Sequence, residues 1–230
     1  MSKRLFHPWS YSFLSSVETC PRQAYGRYVE KIRESDTAAT LWGTAVHEAL
    51  ENYVRDGVPL GEQFTQYQAL AGSIRSRTGL TPSMRTFCEH EMGVDENWQP
   101  CDFHGPEVYG RGIADVLMVM GGFAWIGDWK TGKVKENSFQ VSVFAALVFT
   151  HFPEVQRITA NNIWLKTGQV GKSHVFERHD LADIKKEIEM RVDEVRMHEA
   201  LGGPWPARPS GLCRGWCSVT NCAHWQPKRE

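Results

Sequence analysis

The chain has 230 residues, of which 23% are charged and 41% hydrophobic, and its formal net charge is −1. This length allows one good-sized domain with its own core and is too short for two large domains. A net charge near zero excludes a protein-wide basic field, so binding of nucleic acid would have to rest on a local patch. No apolar run approaches a membrane span and the N-terminus has no signal-peptide core, so we expect a cytoplasmic protein with no membrane partner.

The first two predicted helices meet at Pro21. Ser10 to Ser12 offers N-caps for a helix that ends near Cys20, because a residue before proline disfavours the helical conformation. Pro21 then suits the first turn of a second helix, which runs to about Glu30. This second helix brings basic and aromatic side chains together, either as a small surface for phosphates and bases or as an ordinary solvated face. They are Arg22, Arg27, Tyr25 and Tyr28.

A third helix is predicted from Leu41 to Val54, where apolar residues recur at helical spacing. His47 and Glu51 are four residues apart and therefore stack at the edge of the apolar stripe, with Gly43 one turn before them. A histidine in such a place is more often structural than catalytic. The Gly43-x-x-x-His47-x-x-x-Glu51 spacing favours a functional role for His47 once the predicted hairpin that carries Asp115 and Asp128 is taken into account.

The region between this helix and residue 105 gives weaker signals. Glu62 to Ile74 is typical of another helix, whereas Arg75 to Asp102 shows mixed patterns to which we assign no element and no role. A basic stretch in this region is compatible with contact to a nucleic acid strand and equally with an ordinary surface. Its residues are Arg75, Arg77 and Arg85.

Two strand-like runs flank Gly121 and Gly122, and a Gly-Gly pair between such runs indicates a two-residue hairpin turn. If these glycines form the loop, the antiparallel register sets Asp115 opposite Asp128. The alternation of side chains places Lys130 on the same face as the two aspartates. Directly opposed residues have Cβ atoms about 4.5–5.5 Å apart, so two like charges there destabilise the sheet unless a cation offsets them.

A divalent metal ion is the cation that this pair of carboxylates predicts. Mg²⁺ and Mn²⁺ bind hard carboxylate oxygens and keep positions open for water and phosphate. The alternative is a solvent-facing hairpin with scattered charges. The apolar residues on the same strand faces, among them Ile113, Leu117 and Ile126, favour the buried metal site over this alternative.

After the hairpin, Phe139 to His151 predicts a helix that is apolar nearly all round and hence buried. Gln140 is the polar exception in its first turn, either as an ordinary helix-start residue or as an amide that reaches the metal site. Ile158 to Lys166 and Ser173 to Arg178 predict two further strands, and a last helix follows Asp180.

Three cysteines fall within ten residues of the tail: Cys213, Cys217 and Cys222. Such density in an intracellular chain indicates metal or redox chemistry sooner than disulfides. Three thiolates leave a tetrahedral site one ligand short, and Cys20, at the break between the first two helices, is the best candidate for the fourth. Zinc with His224 as its fourth ligand, and three unligated thiols, are the alternatives.

Taken together, these motifs resemble the RecB-like branch of the PD-(D/E)XK nuclease superfamily, which includes CRISPR-associated exonucleases, AddB-type helicase-nucleases and phage-encoded relatives. A helical Gly-x-x-x-His fits Gly43 to His47, Gly-x-x-Asp fits Gly112 to Asp115, and Asp-x-Lys-Thr-Gly fits Asp128 to Gly132. A Gln-x-x-x-Tyr motif fits Gln140, except that Phe144 replaces the tyrosine. With the cysteines, five elements occur in the family's order, and they span nearly the whole chain.

The resemblance implies an α/β fold in which a central mixed β-sheet is flanked by helices, as in restriction endonucleases. It implies one nuclease domain over residues 1–230, with a helical region in 1–105, the nuclease core in 106–200 and a cysteine tail in 204–230. In the iron–sulfur members of the family, one N-terminal and three C-terminal cysteines bind a 4Fe-4S cluster, which matches Cys20 and the tail. The C-x3-C-x4-C spacing here departs from their usual C-x2-C-x5-C.

The resemblance also assigns roles to single residues. Lys130 is expected to orient the attacking water or to stabilise the charged transition state, and Gln140 to position the site. Asp115 and Asp128 are expected to serve both as catalytic carboxylates and as metal ligands. The full set of expected Mg²⁺ or Mn²⁺ ligands is His47, Asp115, Asp128 and the backbone carbonyl of Trp129.

These assignments predict a metal-dependent DNA exonuclease that acts at single-stranded ends in replication, recombination or repair, within the host cytoplasm if the protein is phage-encoded. The alternatives are a catalytically idle DNA-binding iron–sulfur subunit of a recombination complex and a CRISPR spacer-processing nuclease. Structural Zn²⁺ in place of 4Fe-4S also remains open. Residues expected to guide the DNA strand are Arg22, Tyr25, Lys133 and Lys135.

Overall fold

The computed structural model describes residues 5–134 and 138–228. They form two compact units, one built from the described parts of Met1–Asp36 and Lys186–Glu230, and one that spans Thr37–Lys185. In chain order the helices are α1 (Tyr11–Thr19), α2 (Pro21–Tyr28), α3 (Ala38–Asp56), α4 (Gln68–Arg75), α5 (Ser138–His151) and α6 (Leu181–Leu201). The strands are β1 (Met84–Val94), β2 (Pro100–Cys101), β3 (Gly110–Met120), β4 (Phe123–Lys130), β5 (Arg157–Trp164), β6 (Gln169–Val170) and β7 (His174–Glu177).

The predicted helices are confirmed, with shifts at their ends that have local causes. The Ser10 hydroxyl accepts a hydrogen bond from the backbone N–H of Phe13 and caps α1, which ends one residue before Cys20. Helix α3 begins at Ala38, three residues earlier than predicted, because Thr37 caps it. The helix expected over 62–74 starts with a 3₁₀ segment, Glu62–Tyr67, before α4.

The second unit is organised on an open mixed sheet of seven strands in the order β2-β1-β3-β4-β5-β6, with β7 also paired to β5. Strands β4 and β5 run parallel and are joined through α5, whereas the other pairs are antiparallel. This arrangement confirms the predicted α/β class, a central mixed sheet flanked by helices. The short strand β6 was not predicted.

The region from Arg75 to Asp102, to which no element was assigned, contains β1 and β2. The region expected to be helical up to residue 105 therefore contains two strands as well. Strand β1 pairs along most of its length with β3, from Met84 opposite Met120 to Val94 opposite Gly110. It consequently lies directly beside the strand that carries Asp115.

Helices α3 and α4 cover part of the sheet through a buried cluster that includes Val46, Leu50, Ile74, Met118 and Trp129. Helix α5 is buried nearly all round, as predicted, and contacts β1, β3, β5 and β7. A Cβ atom on Gly112 would lie 2.7 Å from Leu147 of α5, so the glycine of the Gly-x-x-Asp motif permits the close approach of this helix to β3. None of the helices formed by residues 5–134 and 138–228 is both long and apolar enough to cross a membrane.

Candidate active site and cysteine cluster

The hairpin of β3 and β4 positions the first two acidic residues. Met120 pairs with Phe123 across Gly121-Gly122, and Gly121 adopts a φ of 53°, which a glycine tolerates without strain. The ladder ends with Val116 opposite Gly127. Continued by one residue, this register sets Asp115 opposite Asp128, which confirms the predicted hairpin.

Asp128 is almost completely buried and is held by two neighbours. The Lys130 ammonium lies 2.6 Å from Asp128 Oδ2. The Gln140 amide donates to Asp128 Oδ1 at 2.9 Å, and its oxygen accepts from Lys130 Nζ at 2.8 Å. Gln140 therefore contacts Asp128 and Lys130 from the first turn of α5, and the buried carboxylate is compensated by a charge and by hydrogen bonds.

Asp115 lies beside this group in a less favourable electrostatic environment. Its Oδ2 atom accepts a hydrogen bond of 2.7 Å from the backbone N–H of Trp129. Burial raises the pKa of Asp115 well above its ordinary value, and the negative charges of Asp128 and Glu89 raise it further. A bound cation would relieve this repulsion and favour the ionised form of the carboxyl group.

His47 completes a group that can hold a metal ion. Its Nδ1 atom lies 3.8 Å from Asp115 Oδ2 and 3.9 Å from Glu89 Oε1. Ligand atoms of His47, Glu89 and Asp115 all lie within 4.8 Å of one another. Burial lowers the pKa of His47, while Asp128 and a hydrogen bond with the Trp129 backbone raise it in part. A neutral imidazole with two carboxylates is a donor set that divalent metals accept in proteins.

Glu89 is the residue of this site that the sequence did not reveal. It lies in β1 between Cys88, opposite Val116, and His90, opposite Ala114, so its register position faces Asp115. Its φ of 48° is in the left-handed region, which is strained for a residue with a long side chain. Burial and the charge of Glu51 raise the pKa of Glu89. The only available sequence signal was an acidic residue in a region of mixed patterns.

The four predicted cluster cysteines come together in the first unit. Cys20, Cys213, Cys217 and Cys222 line one small pocket, and none of them forms a disulfide. Backbone N–H groups donate to two of the sulfurs, from Arg208 to Cys20 at 3.3 Å and from Ser210 to Cys213 at 3.5 Å. Burial raises the pKa of Cys217, and the other three thiols add to this effect because they are close.

The model of the PD-(D/E)XK nuclease superfamily matches residues 8–222. The chain belongs to this superfamily. A crystal structure of a provisionally assigned exonuclease from Eubacterium rectale is similar in fold, with a TM-score of 0.54 and 13% identity over 87% of this chain and 84% of that one. The structure of SSO0001 has a TM-score of 0.43 and 11% identity over 92% and 85% of the two chains. A search of curated protein sequences finds no match.

The expected DNA-guiding residues of this nuclease lie in different surroundings. Arg22 is buried, forms an ion pair with Glu30 at 2.8 Å and donates to Asn221 at 2.9 Å, contacts that favour a structural role. Tyr25 is half-buried, with its ring 5.6 Å from that of Trp205. Lys133 is exposed in the segment after β4. Lys135 lies outside the described residues, and DNA contact by any of the four stays a prediction.

Replacing Asp115 with asparagine is expected to stabilise the metal-free nuclease by on the order of 1 kcal/mol, because it removes a buried charge that repels two others. The folded-state pKa of Asp115 is raised, so the wild-type penalty is complete at pH values above it and disappears as the pH falls through it. Thermal melts in EDTA at pH 8 and pH 5 would measure this. Mn²⁺ should raise the melting temperature of the wild type and leave that of the variant nearly unchanged.

The control for this prediction is Asp193→Asn, since the Asp193 side chain is 64% exposed. It should change the melting temperature little at either pH. A metal-free Asp115→Asn variant that melts below the wild type at pH 8 would show that Asp115 is not under the repulsion described here.

Proposed function

We propose that this protein is a metal-dependent DNA exonuclease that hydrolyses phosphodiester bonds at single-stranded ends, as one nuclease domain over residues 1–230. The observation that carries the proposal is the metal-competent group of His47, Glu89 and Asp115 beside the bonded group of Asp128, Lys130 and Gln140. Membership of the nuclease superfamily supports the class of reaction. We propose that the enzyme acts in DNA replication, recombination or repair. Its protein partners would be proteins of those processes.

The residues of the site fit Mg²⁺ or Mn²⁺. His47, Glu89 and Asp115 would hold the ion, with Asp128 and the Trp129 carbonyl as further ligands. When bound, such an ion supplies a water of lowered pKa and a positive charge for the scissile phosphate. An ammonium has three donors, and Lys130 uses two of them for Asp128 and Gln140. The third can donate to the attacking water or to a phosphate oxygen that gains charge in the transition state.

A cleft of about 790 Å³ along α3 supports the proposal that the enzyme acts at strand ends. Its α3 residues share one helix face and extend over about 18 Å at 1.5 Å per residue. One half of the cleft is lined by small, neutral residues. In this half a Cβ atom added to Gly43 would lie 3.3 Å from the Thr131 hydroxyl. The other half is acidic. The lining residues are Ala39, Thr40, Gly43, Thr44, His47, Glu48, Glu51, Glu89 and Thr131.

This asymmetry favours one direction of approach for a polyanion. The neutral half lies at the N-terminal part of α3, where the helix dipole favours phosphates, and exposed Lys133 follows Thr131 in the chain. The acidic half would repel a strand that continued past the metal site. A DNA strand would therefore enter along the neutral half and stop at the acidic half. Its end would then lie at the metal site, where cleavage removes terminal nucleotides.

Replacing Glu48 with lysine is expected to relax this restriction, because it converts an exposed charge of the acidic half into a cation. The ratio of cleavage of circular to linear single-stranded DNA should rise by about tenfold in Mn²⁺. Gel assays on a covalently closed circle and its linear form, with Glu62→Lys as the matched control, would measure the ratio. An unchanged ratio in Glu48→Lys would remove the electrostatic basis of the end preference.

The cysteine pocket holds a 4Fe-4S cluster in this proposal, with structural Zn²⁺ as the alternative. Support comes from the approach of Cys20 to three tail cysteines and from the N–H donors to two of the sulfurs. Such a cluster performs no chemistry on DNA. It would join parts of the chain that are almost 200 residues apart, which removes conformational entropy from the unfolded state.

The experiment that tests the proposed function is degradation of single-stranded DNA labelled at either end by the full-length protein purified without oxygen. Mg²⁺ or Mn²⁺ should support release of short products from linear strands, and EDTA should stop it. Absence of metal-dependent cleavage with both metals and both labels would overturn the proposal. Labelling each end separately also reports the direction of cleavage.

A further inference from the structure

A second concave surface lies at the hairpin end of the sheet, several residues along β3 and β4 from the acidic pair. It is a groove of about 380 Å³ with an almost wholly apolar lining. Three of its apolar side chains are strongly exposed: Leu80 at 65%, Phe123 at 59% and Met120 at 40%. Exposed apolar residues that cluster in a concavity mark binding surfaces more often than singly scattered ones do. The proposed exonuclease activity uses none of these residues.

The groove exists because α3 and α4 cover only part of their face of the sheet. Met118 pairs with Trp125 and Met120 with Phe123, so these four side chains share one face of the hairpin. Met118 and Trp125 pack into the buried cluster of α3 and α4. The outer pair, Met120 and Phe123, lies outside this buried cluster. Leu80 and Met84 line the groove beside it.

Two arginines flank this apolar floor. Arg157 pairs with Phe123 in the sheet, and its guanidinium lies 3.0 Å from Glu177. Arg77 lines the groove from the segment after α4 and is exposed, with no ion pair among residues 5–134 and 138–228. Apolar lining beside guanidinium groups complements a ligand that carries bulky apolar side chains next to carboxylates.

We propose that this groove binds a short acidic peptide segment of a partner protein, with a bulky apolar residue seated on Met120 and Phe123 and a carboxylate near Arg77. Methionine side chains suit this role because they adapt their shape to different apolar groups. Two copies of the chain that met groove to groove would bring arginines against arginines. A nucleic acid strand is held mainly by several cations along its phosphates, and the cationic lining residues of the groove are Arg77 and an Arg157 that is already paired.

Fluorescence anisotropy with labelled hexapeptides tests the proposal on the full-length protein. The probes are GSDDxF peptides in which x is Leu, Ile, Met, Val, Phe or Trp, and the comparison peptides are GSNNLF amide and GSDDSS. At least one acidic-apolar probe should bind in the micromolar range, and both comparison peptides should bind at least about tenfold more weakly. Arg77→Glu and Phe123→Ser should each weaken the probe about tenfold, whereas Arg33→Glu, at an exposed position of the other unit, should not.

Several outcomes would overturn the proposal. One is that no probe binds at 1 mM peptide. Another is that the neutral or the polar peptide binds as tightly as the probes. The third is that Arg77→Glu and Phe123→Ser leave probe binding intact. Binding of a single-stranded 12-mer that Arg77→Glu abolishes would identify a nucleic acid surface. Concentration-dependent sedimentation that Phe123→Ser abolishes would identify a contact between copies. Phe123→Ser should leave metal-dependent DNA cleavage within about twofold of the wild type.

Discussion

Replacing Lys130 with alanine is expected to lower metal-dependent cleavage of end-labelled single-stranded DNA by about 100- to 1,000-fold, the effect of removing one positioned donor to a charged transition state. Lys130 Nζ contacts both Asp128 and Gln140, so its direction is fixed before substrate binds. Such preorganisation is what makes a donor effective. Initial rates at saturating Mg²⁺ and DNA would measure the loss in the chemical step.

The matched control is Lys166→Ala, which removes an exposed lysine beyond the end of β5 and should leave the rate within about twofold. Lys130→Met, which retains the apolar stem, should lose as much activity as Lys130→Ala while keeping the packing. Thermal melts of all three variants would separate lost chemistry from lost folding. A folded Lys130→Met variant that cleaves within about threefold of the wild type would contradict the assigned role.

Replacing Cys213 with serine is expected to abolish the metal content of the tail. Wild-type protein purified without oxygen should contain about four iron and four sulfide per chain, and the variant should contain almost none. Its melting temperature should fall by several degrees, since the connection between Cys20 and the tail is lost. Iron and acid-labile sulfide assays on the same samples would measure this.

The control for the cluster is Cys88→Ser. Cys88 is half-buried in β1, which belongs to the second unit, and it does not line the cysteine pocket, so its loss should leave the iron content unchanged. One zinc per chain without sulfide would contradict the cluster and support the structural zinc alternative. Metal-free protein in which all four thiols react freely would contradict both.

The elements that sequence predicted well are those fixed by local chemistry. Gly121-Gly122 specifies a tight turn, and the turn alone sets the register that brings Asp115 opposite Asp128. Similarly, the four-residue spacing of the α3 motif fixes which helix face His47 shares with Gly43. The approach of Gln140 to the site follows from the short connection between β4 and α5.

The residues that sequence missed depend on contacts between distant segments. Glu89 reaches His47 because β1 pairs with β3 across a connection of more than a dozen residues, and no local pattern specifies that register. Its left-handed φ is also unusual for glutamate, so propensity argued against the observed conformation. Alternation along β4 predicts that Lys130 shares a face with Asp128, whereas the hydrogen bonds of Gln140 with both residues also depend on how α5 packs against β4.

The most direct test of the metal site is an anomalous difference map from crystals of this protein soaked in Mn²⁺. A peak is expected within about 2.2 Å of a nitrogen of His47 and an oxygen of Asp115, with Glu89 or Asp128 as a further ligand. His47→Ala crystals treated identically should show a much weaker peak or none. A strong Mn²⁺ peak elsewhere, with no density between His47 and Asp115 at saturating metal, would contradict the account.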